Sequence, residues 1–182
     1  DYRSFDTMLE TGVVFVAGLV IMTLLRGTRT RPYPSFKLEK SSVIIRTAAK
    51  IMVPFMQIFA LYVVAHGHYS PGGGFQGGVI LGASLILMAM ATDLKSMLKR
   101  MTEKWTVILS AVGVLIFSGV GILSIKLGGN FLDYSVWAPI LPGTDAIMAR
   151  SHGMLVVEIG VAFTVMCGMF GIYAMLASDG TL

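Results

Sequence analysis

Few residues in this chain can do chemistry, and several of those that can sit inside apolar stretches. Glu158 lies in His152-Gly-Met-Leu-Val-Val-Glu158-Ile-Gly160, and Glu10 lies in an apolar run near the start. Lys50 and Arg46 lie in a block that continues to Ala65. A carboxylate so placed can bind a monovalent cation or relay protons, and a lysine can relay protons. Each such charge costs about 2.5–3.5 kcal/mol or more at the centre of a lipid span, so it marks function or a partner.

Another candidate is the stretch His66-Gly-His-Tyr-Ser-Pro-Gly-Gly-Gly-Phe-Gln-Gly-Gly78. Pro71 followed by Gly72, Gly73 and Gly74 demands a tight turn, because glycine alone takes positive φ without penalty. Residues 72–77 also match G-x-G-x-x-G. That dinucleotide fingerprint needs a preceding β-strand, and here an apolar block precedes it. His66 and His68 lack a third ligand and make a poor metal site. Histidines bonded to the backbone of a turn are the plainer reading, and no metal is expected. There is no nucleophile–base pair, HExxH or cofactor motif, so the chain reads as non-catalytic and without a cofactor. Cys167 is the one cysteine, which excludes an intrachain disulfide and a cysteine-rich metal site.

These residues are held by elements that the composition defines. Of 182 residues, 55% are apolar and 13% charged, and the mean hydropathy is +0.77. Soluble domains carry about 25% charged residues. The apolar residues fall into five blocks, about Phe5–Leu25, Val43–Ala65, Phe75–Ala91, Trp105–Leu127 and Ser151–Ala177. A helix crosses about 30 Å of hydrocarbon in roughly 20 such residues. Period-two alternation is absent, so a β-barrel is excluded. The expected fold is an all-α integral membrane protein, a bundle of about five transmembrane helices. The first block ends in Arg26-Gly-Thr-Arg29-Thr-Arg31 and carries Glu10, which reads as a retained helix rather than a signal peptide. The chain opens on Asp1 rather than Met, which leaves open whether residues precede it.

The net charge of +4 is topological rather than a nucleic-acid footprint. Arg26, Arg29, Arg31, Lys37 and Lys40 fill the first connection, and Lys95, Lys99, Arg100 and Lys104 the third. The opposite side holds Arg3, Lys126 and Arg150. The positive-inside rule then puts the N-terminus outside and the C-terminus in the cytoplasm. In the outer segment 128–150, Tyr134 and Trp137 suit the headgroup belt, and a short interfacial helix fits around residues 144–150. Gly74, Gly78 and Gly82 recur every four residues and give the third helix a smooth face for a neighbour. Counted from Ser151, Glu158 is roughly 10 Å into the last helix. Counted from His66, Lys50 is roughly 24 Å into the second. A Lys50–Glu158 salt bridge is therefore excluded, whereas Gln57 lies at a depth where it can meet Glu158. Glu158 reads either as a cation or proton carboxylate near an outer mouth or as a structural acid paired with another subunit's base. Glu10 reads as its companion or as an interfacial acid, and Lys50 as a relay or a snorkelling cation. Asp93, ending the third block, reads as solvated.

The stretch His68-Tyr-Ser-Pro-Gly-Gly-Gly-Phe-Gln-Gly-Gly78, opening a glycine-bearing helix, resembles the hallmark of the MnhB/MrpB subunit family. The residues of that hallmark are His68, Pro71, Gly72, Gly73, Gly74, Gly77 and Gly78. The segment around Glu158 is similar to the family's acidic last helix. The opening Asp1-Tyr-Arg-Ser-Phe-Asp-Thr-Met-Leu-Glu10 resembles the end of the large antiporter subunit, MrpA, or its hydrogenase counterpart. The resemblance divides the chain into an MrpA-tail-like helix (1–27), a basic cytoplasmic linker (28–42) and an MnhB/MrpB-like four-helix domain (43–182). It implies a multi-pass subunit of the prokaryotic cytoplasmic membrane, assembled with other membrane subunits and concerned with Na⁺ or H⁺ movement. The complex is a cation/proton antiporter or, alternatively, an energy-converting hydrogenase or related respiratory assembly.

Overall fold

The computed structural model describes residues 2–27, 43–67, 72–92, 94–140 and 145–178. The described residues are helical or turn throughout: α1 (Tyr2–Gly27), α2 (Val43–Ala65), α3 (Gly74–Ala91), α4 (Leu94–Arg100), α5 (Glu103–Lys126) and α6 (Ala146–Ala177). A 3-10 turn, Tyr134–Trp137, lies between the last two. Among the described residues, α1, α2, α3, α5 and α6 are long and apolar enough to cross a membrane. The 28–42 linker, Asp93, and His68 and Pro71 of the hairpin lie outside the described residues.

The longest helix, α6, is the axis against which α1, α3 and α5 pack, and α2 packs mainly on α3. Small residues set how closely they approach. Along α3, Gly74 touches the backbone of Glu158, Gly78 that of Ala162, and Gly82 the Met166–Met169 turn. The glycine stripe of α3 therefore meets an α6 stripe of the same four-residue period. Gly77, one step round, faces Ala60 and Val64 of α2. On α1, Gly18 and Met22 meet Gly168 and Gly171 of α6. The outward surfaces are greasy instead: Val13 of α1, Phe55 of α2 and Leu115 of α5 are each at least 66% exposed. Small residues at the helix contacts and large apolar ones on the outward surface suit a lipid solvent, where packing rather than hydrophobic burial joins helices.

Three sequence expectations are corrected. The third connection contains α4, whose Leu94 and Met97 are buried in a cluster with Ala89, Phe170 and Ala174, while Lys99 is exposed. The short helix expected around residues 144–150 is not separate, because α6 already begins at Ala146, although Thr144 itself lies outside the described residues. Tyr134 and Trp137 turn inward rather than toward headgroups. Tyr134 is 3% exposed and packs against Gly153, and the Trp137 indole N–H donates to Ser124 Oγ at 3.0 Å.

Candidate functional site

Alternation of the helices brings the start of α1, the end of α2, the start of α3 and the first half of α6 to one end of the bundle. A cavity of about 430 Å³ lies there. Asp6, Thr7 and Glu10 line it from α1, Gly67 and Gly72–Gly74 from the turn, and Glu158 from α6. Asp6 and Glu10 are four residues apart and so share one face of α1. The cavity therefore holds three carboxylates.

Glu158 is fixed by backbone. The first residue of α3, Gly74, donates its N–H to Glu158 Oε2. The residue capping α3, Gly73, has no side chain to satisfy the free amides of a helix start, and the carboxylate from α6 takes that place. The positive end of the α3 dipole adds to the attraction. The approach is possible because Gly67, Gly73 and Gly74 carry no Cβ; one added at any of the three would run into Glu158. Gly73 also holds φ +144°, in a region where L side chains are strained.

His66 closes the end of α2, its Nδ1 3.2 Å from Tyr62 O and its ring stacked on Tyr62 at 4.1 Å. The pairing of His66 with His68 falls outside the described residues. Gln57 does not meet Glu158, because its Nε2 donates to Ser84 Oγ at 3.4 Å. Ser84 is ten residues along α3 from Gly74, about 15 Å deeper. Glu158 itself is twelve residues beyond the start of α6, about 18 Å along its axis rather than the 10 Å counted from Ser151. Lys50 is exposed on α2 and does not line the cavity, and neither do Lys126 and His152. Asp6 and Gly67 escaped the sequence reading. The i, i+4 spacing of Asp6 and Glu10 was the available signal for the first; only the fold reveals the second.

An all-helical bundle with small-residue seams and five helices long and apolar enough to cross a membrane defines a multi-pass membrane protein. A family model described as "Domain related to MnhB subunit of Na+/H+ antiporter" matches residues 44–171, and the chain belongs to that family. The Staphylococcus aureus (strain Newman) protein named antiporter subunit mnhB2 is 32% identical over 139 residues, 74% of this chain and 98% of its own length. Among solved structures, a chain of the membrane-bound sulfane sulfur reductase, an archaeal respiratory membrane complex, has the same fold. Its TM-score is 0.75 at 23% identity, covering 97% of this chain and 74% of that one. A chain of the Mrp complex from Dietzia sp. DQ12-45-1b gives a TM-score of 0.74 at 26% identity, covering 100% of this chain and 20% of that one.

Proposed function

We propose that this chain is a non-catalytic membrane subunit of a multisubunit Na⁺/H⁺ antiporter, and that its carboxylate cavity forms the outer part of a cation or proton route shared with neighbouring subunits. Family membership supports the first half. The observation that carries the second is that Glu10 and Glu158, on different helices, face one cavity. Glu158 is the principal ion-binding carboxylate, with Glu10 and Asp6 drawing cations to the mouth. The basic connections keep the other end of the bundle cytoplasmic, with the N-terminus outside. The helix α1 is an MrpA-tail-like segment joined to the MnhB/MrpB-like unit of 43–182. That reading is supported by alignment of the entire chain, α1 included, within one much longer chain of the Mrp complex.

The test is Glu158→Gln in inverted membrane vesicles, with assembly checked by co-purification. Loss of Na⁺-driven proton movement in an intact complex is the expected result. Unchanged transport would remove Glu158 from the route. The alternative of a redox-driven complex rests on the shared fold alone. It predicts hydrogenase or iron–sulfur subunits encoded beside this chain.

A further inference from the structure

Lys50 lies seven residues into α2, about 10 Å along the axis from Val43. It is exposed, as is Arg46 one turn before it, and among the described residues neither makes a hydrogen bond or an ion pair. Pro54 stands four residues later inside the same helix. It has no N–H to give to the carbonyl of Lys50, so this turn presents an unsatisfied backbone oxygen as well as an ammonium group. In hydrocarbon both need partners.

The surroundings of the turn are those of an uncovered seam. Helix α2 packs mainly on α3, through Ala49, Val53, Ala60 and Val64. Lys50 lies at the edge of that contact, in line with Gln57, which is tied to Ser84 of α3. At 100° per residue Leu61 falls within about 20° of Lys50, and it is 60% exposed. This side of α2 thus exposes Arg46 and Lys50 at one end and the apolar Leu61 at the other, beside the contact with α3.

We infer that this side of α2 is the docking face for a transmembrane helix of a neighbouring subunit, and that the helix carries an Asp or Glu at the depth of Lys50. Charge complementarity selects the occupant. A carboxylate neutralises Lys50 where lipid tails offer nothing, and Arg46, about 6 Å nearer the helix start, adds to the attraction. The role of Lys50 is then assembly rather than proton relay. The inference rests on the reading of the chain as a subunit.

The experiment uses the complex as it exists in its membrane. A photoreactive benzoylphenylalanine is placed at Leu61 with Lys50 intact, and the membranes are irradiated before solubilisation. The expected product is an adduct with a different membrane polypeptide, whose cross-linked peptide holds a carboxylate within an apolar run. In parallel, Lys50→Glu lowers recovery of that polypeptide in mild detergent by about tenfold or more, and Lys50→Arg keeps it. Reversing the partner's carboxylate to lysine restores recovery with Lys50→Glu. Adducts with lipid only would overturn the inference and make Lys50 a snorkelling residue. An adduct with a second copy of this chain, or within the chain, would overturn it too. If the unaltered chain brings down no other membrane subunit, it is the subunit reading itself that fails.

Discussion

The carboxylate of Glu158 accepts the backbone N–H of Gly74, so a side chain of α6 caps a helix that begins 84 residues earlier in the chain. The contact ties the glycine turn to the longest helix at the cavity that Glu158 lines.

Glu158→Ala and Glu158→Gln separate the structural from the electrostatic share of this contact. Alanine leaves the Gly74 amide without its acceptor, a loss of about 1–3 kcal/mol for a part-buried donor. Glutamine keeps an acceptor oxygen for the Gly74 amide and removes the charge. The expected result is a thermal midpoint in detergent lowered by several degrees for Glu158→Ala and by clearly less for Glu158→Gln. Equal losses would place the stabilisation in the charge rather than the hydrogen bond.

A pair of glycines tests the turn. Gly73→Ala puts a Cβ at φ +144° and against the Glu158 carboxylate, for a cost of about 1–3 kcal/mol from the backbone alone. Gly12→Ala, in the middle of α1, meets nothing within 4 Å and gains up to about 1 kcal/mol in helix propensity. Unfolding in detergent should move in opposite directions for the two, with Na⁺-driven transport lost only in the first.

The long helices were legible because their signal is local: apolar length against bilayer thickness needs no knowledge of neighbours. The shape of the site needed tertiary information. Depth was counted from Ser151 on the assumption that apolar blocks end where helices end. In fact Glu158 is level with Gly74, the first residue of α3, so α6 extends about 18 Å past that point to Ala146, while Gln57 bonds Ser84 about 15 Å deeper along α3. The basic residues of the third connection hid α4, although Leu94, Met97, Leu98 and Met101 repeat at i, i+3, i+4 and i+7 and do face the bundle. Glu10 and Glu158 were recognisable as buried-sequence acids. That they share a cavity with Asp6 depends on α1 lying beside the glycine turn, which no spacing within the chain encodes.

Outside the spans, Asp133 gives a pH dependence of known sign. The Ser135 hydroxyl (2.5 Å) and then its backbone N–H (3.1 Å) donate to Asp133 Oδ1 and hold this carboxyl below its ordinary value of 3.8. A lowered folded value means that the contribution is complete above about pH 3.8. It is lost as pH falls through the folded value beneath it. Solvent screening keeps it small. Asp133→Asn should flatten the fall of the thermal midpoint below pH 4 by lowering the midpoint slightly above pH 5, the two proteins converging at low pH.

The seam between α5 and α6 should prove less tolerant of one methyl group than of a lost hydroxyl. Thr164 Oγ1 lies 3.1 Å from the carbonyls of both Ser110 and Gly160, and Ser110 Oγ donates to Thr164 O at 3.4 Å, all of it buried. Thr164→Val removes one donor and leaves the shape, worth about 0.6–1.7 kcal/mol by analogy with other interhelical hydrogen bonds in membranes. Gly113→Ala drives a Cβ into the Gly160 carbonyl and Thr164 Oγ1. The first is backbone on a rigid helix, so the two helices must separate, and the cost should exceed the upper end of that range. Cys167, fully buried on the same helix and beside Ser110, supplies the readout. A fluorogenic thiol reagent should label it only as the seam opens on heating, earliest in Gly113→Ala, next in Thr164→Val and last in the unaltered chain. Labelling of Gly113→Ala no earlier than that of Thr164→Val would mean that the seam yields, and that its glycine is not what sets the spacing.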